Sequence, residues 1–256
     1  MVRKISILLV ASLVFFSFVN AGLVAAEKEK LTIALVSEPT TLDPHKQWNP
    51  SSYYVYRNIF DNMVTRNSDG KIVPQVAESW NYIDQKTIDF KIRTNIKFHD
   101  GSSLTVDDVV FSVKRIIDPK FKSPQAGQFN TITDAKKINK NTVRLFTKVP
   151  YPVLLAQLVK LSIVPKAYIN KVGNDGLNRN PVGSGPYKFV AWKKGVSVKL
   201  EANNQYWSGQ PPFPNVEFLA IPEKSTRIAM LQTKKADLVV SLDSDIALQL
   251  KNSSTI

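Results

Sequence analysis

"TIDFKIRTNIKFHDGSSLTVDDVVFSVKR" spans residues 87–115, and its hydrophobic period changes half-way along. In the first part Ile88, Phe90 and Ile92 alternate with Asp89 and Lys91, the period of a half-buried strand. In the second part Val106, Val109, Val110, Val113 and, just beyond the quotation, Ile116 and Ile117 fall at offsets 0, 3, 4, 7, 10 and 11. That spacing makes one apolar helical face. Asp100-Gly101 is a turn dipeptide between them. Thr105 stands three residues before Asp108, the pattern of an N-cap with an acidic residue at N3. Asp107 and Asp108 then occupy the first turn, where the helix dipole favours negative charge.

The same stretch crowds His99, Asp100, Asp107, Asp108, Lys114 and Arg115 together, as a metal site or an acid/base pair would. Two arguments oppose that reading. His99 and Asp107 sit on different elements, and adjacent carboxylates on a helix point about 100° apart. The loop also lacks the alternating carboxylates of a calcium loop. Turn, cap and buried helix account for every residue.

Outward from this stretch, strands and helices alternate without a repeat. "LTIALV" (31–36) reads as a buried strand running into "SEPTTLDPH", where Pro39 and Asp43-Pro44 force turns. "SSYYVYRNIFDNMV" (51–64) reads as a serine-capped helix with Tyr54, Val55, Ile59 and Met63 on one face. "NTVRLFTK" (141–148) alternates like a strand, and "YPVLLAQLV" (151–159) is an apolar helix with proline near its start. "GPYKFVAW" and "VSVKLEAN" pair as strands around Lys193-Lys194-Gly195. "VEFLAI" (216–221) is a strand, and "STRIAMLQTKKADLVV" a serine-capped helix leading into another. The order predicts an α/β chain with mixed sheets.

Composition removes several function classes. The 256 residues contain no cysteine, which excludes disulfides, thiolate metal sites and cysteine nucleophiles. His45 and His99 are the only histidines, too few for a multi-histidine zinc site. The net charge is +13, but basic residues lie singly or in pairs such as Lys136-Lys137, so no nucleic-acid footprint is expected. At the start, Arg3 and Lys4 precede an apolar run from Ile5 to Val19, and Val24-Ala25-Ala26 fits a cleavage site. Residues 1–26 therefore read as a secretory signal peptide, with Glu27 first in the mature chain and cleavage after Ala21 the alternative. The run is shorter than the ~20 residues of a membrane span. Without a cysteine there is no lipid anchor, so a soluble exported protein is expected.

Two further motifs stand out. "NPVGSGPYKF" (180–189) lacks the terminal Gly-Lys-Ser/Thr of a phosphate loop, and Ser184 has no evident histidine partner, so a tight turn into a strand is expected. Aromatics cluster at Trp48, Tyr53, Tyr54 and Tyr56, and again at Tyr206 and Trp207. Most read as core packing. Trp48 differs, because it lies in an irregular segment after the first strand, where ligand contacts concentrate.

Taken together, "SEPTTLDPH", "PQVAESWNYIDQKTIDFKIRTNIKFHDGSSLTVDDVVFSVKRI", "NPVGSGPYKF" and "NNQYWSGQPPFPNVEFLAIPEKSTRIAMLQ" resemble, in order, the family 5 extracytoplasmic solute-binding proteins. The resemblance runs from about Leu31 to Val240. It implies a periplasmic-binding-protein-like (class II) fold, N-terminal portion only. A first lobe would be built from 27–50 and 166–245, with an inserted α/β domain at 51–165. Residues 246–256 would begin a second ligand-binding lobe that is otherwise absent, together with most of the charged groups that hold a peptide's ends.

The implied function is the substrate-binding component of an ABC importer. It would capture peptides in the periplasm and deliver them to a permease and ATPase complex in the inner membrane. Nickel chelates or another small solute are the alternative cargo. The resemblance implies a monomer with no catalysis, cofactor, metal ligand or nucleic-acid partner. A secreted Ser/His hydrolase and a nucleic-acid-binding protein are the rivals from other classes. By resemblance, Glu38, Pro39 and Thr40 line the cleft, where backbone can pair with a peptide as an added strand. Gln47 and Trp48 stand where members touch their ligand, and Asp43-Pro44-His45 is a structural turn.

Overall fold

In the computed structural model, which describes residues 29–251, a five-stranded and a four-stranded sheet divide the chain, with a two-stranded hairpin beside them in sequence. The expected signal peptide and residues 252–256 lie outside the described residues. β1 (Lys30–Leu35) leads through a long loop to α1 (Pro50–Ile59). A hairpin of β2 (Val64–Arg66) and β3 (Ile72–Pro74) precedes β4 (Ala77–Asp84), β5 (Thr87–Ile92) and α2 (Val106–Ile117). The one-turn α3 (Ala126–Phe129) leads into β6 (Ile132–Asn139), β7 (Thr142–Thr147) and α4 (Leu154–Leu158). Then come α5 (Lys166–Arg179), β8 (Tyr187–Lys193), β9 (Ser197–Ala202) and β10 (Asn215–Ala220). α6 (Lys224–Gln232), β11 (Leu238–Val239) and α7 (Ser244–Lys251) finish the described chain.

The mixed sheet has strand order β11-β1-β10-β9-β8. β1 runs parallel to both neighbours, in register Ile33 to Phe218 and Ile33 to Leu238. β10, β9 and β8 are antiparallel. Gly195, at φ 71°, turns β8 into β9, a conformation in which a Cβ is penalised. The second sheet, β4-β5-β7-β6, is antiparallel throughout. Its apolar face, with Phe90, Val143 and Leu145, packs on the Val109, Val113 and Ile116 side of α2. A separate core gathers Leu35, Val198, Leu200 and Phe218 of the mixed sheet with Ile169 and Leu177 of α5.

α1 departs from its expected form. It ends at Ile59, because Phe60 is already extended, with φ −118° and ψ 136°. Its cap is Asn49, whose side chain accepts from Ser51 N at 2.8 Å and Ser52 N at 3.3 Å. The two serine hydroxyls instead accept from the loop after β1, from Ser37 Oγ and Thr40 N, each at 3.0 Å. Tyr54 faces solvent, and Met63 lies past the helix in the antiparallel-sheet core. The expected inserted segment 51–165 separates α1 from the mixed sheet. Yet Val55, Tyr56, Ile59 and Phe60 are buried in the mixed-sheet core. α6 is likewise capped by Glu223, whose Oε1 accepts from Ser225 N, and not by a serine.

The stretch 98–117 folds as its pattern dictates. Gly101 turns at φ 87°, and Asp100 Oδ1 accepts from Ser102 N at 3.0 Å and Ser102 Oγ at 2.7 Å. At the head of α2, Asp108 Oδ2 accepts from Thr105 N at 2.9 Å and Thr105 Oγ1 at 2.7 Å. The other oxygen of Asp108 accepts from Lys166 N, the first residue of α5, at 2.9 Å. One carboxylate thus serves two helix starts, each with unsatisfied N–H groups. Thr105→Ala should cost about 1 kcal/mol, and Asp108→Ala clearly more because both starts lose an acceptor. Urea midpoints measure the order. Equal losses would show that the second cap contributes nothing.

Candidate functional site

The loop from residue 36 to 49 is tied down from three sides. α1 holds it through the serine contacts just described. From α5, Asn178 Oδ1 accepts from Thr41 Oγ1 at 2.6 Å and Leu42 N at 2.8 Å. From α2, Arg115 grips Asp43 with two nitrogens, NH1 to Oδ1 at 3.0 Å and NH2 to Oδ2 at 2.5 Å. Both partners are buried, and NH2 also donates to Asn174 Oδ1 at 2.7 Å. A buried pair is tolerated when it is bidentate and its remaining hydrogen bonds are made, as here. Gln125 adds a clasp, its Nε2 donating to the carbonyls of Pro44 and Gln47.

The fixed loop presents a groove at the amino end of α1. It is lined by Gln47, Trp48, Asn49, Pro50, Tyr53, Tyr54, Tyr56 and Lys160, around a volume of about 320 Å³. Trp48 is 57% exposed and Tyr54 43% exposed, both high for aromatics. Lys160 Nζ stands 5.0 Å from the Trp48 ring centroid, within cation–π range. Tyr53 packs edge-on against Tyr56 at 5.5 Å between centroids. Burial pushes the Tyr56 hydroxyl above its ordinary value, so it remains protonated. Small-solute sites have this character, apolar and aromatic walls with few polar groups.

The expected contact residues separate into two places. Trp48 stands open on the groove, and Gln47 lines it from below, with 3% exposure and its Oε1 accepting from Asn49 N at 2.6 Å. Glu38, Pro39 and Thr40, where the loop leaves β1, are not among the residues that line the groove. Glu38 Oε2 accepts from Trp192 Nε1 at 3.2 Å and Gly195 N at 2.9 Å, so it clamps the β8–β9 turn. Pro39 is buried and Thr40 exposed. Tyr53, Tyr54 and Lys160 also line the groove, whereas core packing is the sequence expectation for most of these aromatics and none attaches to Lys160. The tyrosine cluster was visible as a pattern; nothing local marks Lys160.

The suspected catalytic groups are occupied elsewhere. Ser184 Oγ donates to Asp61 Oδ2 at 2.9 Å. Gly183 N donates to His99 Nδ1 at 3.3 Å, which leaves the proton on Nε2, 3.0 Å from the Gly185 carbonyl. Burial lowers His99 to about 4, so it is neutral at pH 7. His45 is fully buried, with Nε2 2.8 Å from the Ser162 carbonyl; burial and then Arg115 lower it to about 4. Gly183 and Gly185 are there for close approach. A Cβ on Gly183 would stand 2.0 Å from the Ile59 carbonyl oxygen, and one on Gly185 2.7 Å from that of Asn58. Among the described residues, no group of three or more His, Asp or Glu side chains is placed to hold a metal ion.

Asp61 itself accepts from four donors: Gln75 Nε2 and Tyr206 OH on Oδ1, Ser184 Oγ and Trp207 Nε1 on Oδ2, each at 2.9 Å. Burial raises its pKa to about 6, and the four hydrogen bonds pull against that rise.

A mixed sheet covered by helices, joined to a smaller antiparallel sheet, defines an α/β periplasmic-binding-protein-like fold. AgaA from A. tumefaciens R10, solved with agropinic acid, superposes with a TM-score of 0.82 at 30% identity, covering 88% of this chain and 46% of that one. NikZ from Campylobacter jejuni, solved with Ni(L-His), gives 0.80 at 28% identity, covering 89% and 46%. Residues 71–256 match the model of the bacterial extracellular solute-binding proteins, family 5 Middle. The chain belongs to that family. The periplasmic oligopeptide-binding protein OppA of Salmonella typhimurium is 30% identical over 252 residues, covering 90% of this chain and 46% of OppA. The chain spans about half the length of the curated relatives it matches.

The buried groups give opposing pH dependences. Between 3.8 and about 6 the folded state binds a proton on Asp61 that the unfolded chain has lost, so this contribution falls as pH rises. Between about 4 and 6.5 the unfolded chain protonates His45 and His99 while the folded state does not, so their contribution rises with pH. Asp61→Asn puts an amide N–H against at least one donor and should cost about 3 kcal/mol at pH 7. Urea unfolding should also show a steeper loss on acidification from pH 6.5 to 4 than in the parent, because the proton uptake by Asp61 that opposes it is gone. A parallel profile would contradict the assignment.

Proposed function

We propose that the protein is the substrate-binding component of an ABC importer, taking up peptides in the periplasm and handing them to an inner-membrane permease and ATPase complex. In this reading the chain supplies the N-terminal portion of a two-lobed receptor. Residues 27–50 and 166–245 form its first lobe, and a second lobe closes over the solute from the far side. The intervening segment up to residue 165 forms the inserted domain, except α1, which we assign to the first lobe by its core contacts.

The observation that carries this reading is the groove at the head of α1. Its walls are aromatic, it opens beside the loop that leaves β1, and the loop is held rigid by buried ties. Open α/β sheets place ligands outside the carboxyl ends of their strands, where this loop lies. Half of a closing cleft would have this form, an open wall awaiting a facing one. Peptide is favoured as cargo by the names of the oligopeptide-binding relatives and by the apolar lining, which suits side chains of varied shape. A receptor role, without catalysis, accords with two neutral histidines that are bonded to backbone and a serine engaged by Asp61.

Thermal melting of the protein expressed from its complete reading frame tests the cargo. Short peptides should raise Tm, since a ligand bound only to the folded state stabilises it by about 2.7 kcal/mol at one hundred times Kd. Nickel–histidine and sugar acids should leave Tm in place. A rise with one of those solutes and none with peptides would overturn the peptide assignment.

A further inference from the structure

Lys160 is the one charged residue among the described residues of the groove lining. It is half-buried at the wall of the groove, and its ammonium lies over the Trp48 ring. Among the described residues no carboxylate stands within ion-pairing distance of its Nζ. Nor does the groove lining contain any Asp or Glu. The backbone around Lys160 is fixed: its N–H donates to the Gln157 carbonyl at 3.0 Å, and Leu161 O accepts from Met63 N at 2.9 Å. The stem is thus anchored at the wall, and the ammonium lies beside an aromatic face in a groove of mostly aromatic lining.

We propose that Lys160 determines the specificity of the groove by pairing with the carboxylate of the bound solute, while Trp48 and Tyr53 cover the apolar group next to it. The solute class is a small carboxylate with an apolar or aromatic substituent beside the acid, as at the C-terminal residue of a peptide. The argument is charge complementarity in a partly dewatered site. A half-buried cation there strengthens any anion that reaches it, and no acidic side chain of the lining competes. The aromatic walls contribute area but little selectivity between an acid and its amide, so the charge carries that discrimination. The volume of about 320 Å³ lies at the small end of ligand sites, enough for a terminal residue and not for a long chain.

This inference rests on the receptor reading, and the test separates the two. Calorimetric titration of the complete gene product would use Ala-Phe-Ala and its C-terminal amide, together with 3-phenylpropionate and its amide. The acids should bind more tightly than their amides. Lys160→Met, which keeps the aliphatic stem, should weaken the acids about ten- to a hundred-fold and leave the amides unchanged. Lys160→Arg should restore the preference, and an unchanged melting curve for the Met variant shows that it is folded. If only the 3-phenylpropionate pair binds, with a Lys160-dependent preference, the inference stands and the peptide reading falls. Equal binding of acid and amide by the parent protein, an acid preference that survives Lys160→Met, or no binding of any of the four would each overturn it.

Discussion

One buried carboxylate sets the geometry on which the rest depends. Asp61 has no exposed surface, and its two oxygens receive four hydrogen bonds from Gln75, Ser184, Tyr206 and Trp207. Those donors come from three separated segments of the chain, around Gln75, Ser184 and Tyr206-Trp207. An uncompensated charge in such a place would cost several kcal/mol, so these three segments must reach the Asp61 segment together or the site fails. The backbone on either side joins in. Ile163 N donates to Asp61 O, Val76 N to Asn62 O, Met63 N to Leu161 O and Ala77 N to Met63 O. Residues 61–63 are thereby sewn between the approach to β4 and the segment before α5. The mixed and antiparallel sheets meet at this seam.

The seam also explains why the groove is firm. α1 must stop at Ile59 for Asp61 to reach its donors, and Gly183 and Gly185 pack directly against that helix end. With the carboxyl end of α1 fixed there, its amino end is fixed too, and the loop after β1 is latched onto it through Ser51 and Ser52. Arg115 and Gln125 reach across from the antiparallel-sheet side to hold residues 43–47 of the same loop. Both sheets therefore contribute to one binding wall. A wall ordered before the solute arrives avoids the entropy of ordering it on binding.

The sequence made part of this legible. Where one face of an element is buried and the other wet, the period shows, and β1, β5, β7, α2 and the β8–β9 hairpin were all readable. β4 and β6 were not. They are the edges of the antiparallel sheet and mostly exposed, so their alternation fades. α5 was missed because it is largely polar and broken by Gly173 at φ 71°. At the site, Trp48 was legible as a large aromatic in a loop. Lys160 was not, since what distinguishes it is the company brought by folding. The four phrases that identify the family were legible as a set, and three of them meet in space: Gln75, Ser184 and the Tyr206-Trp207 pair all bind Asp61. Asp61 itself, in "NIFDNMV", falls inside the expected helix 51–64, and nothing local marks it.

Native-state hydrogen exchange tests the seam most directly, because it reports the opening free energy of each sheet separately. If Asp61 joins the sheets into one cooperative unit, the slowest amides of β5 and β7 and those of β9 and β10 open with the same free energy. Asp61→Ala would then lower both sets by the same amount. Two distinct opening free energies in the parent protein, with only one sheet responding to the substitution, would contradict the account.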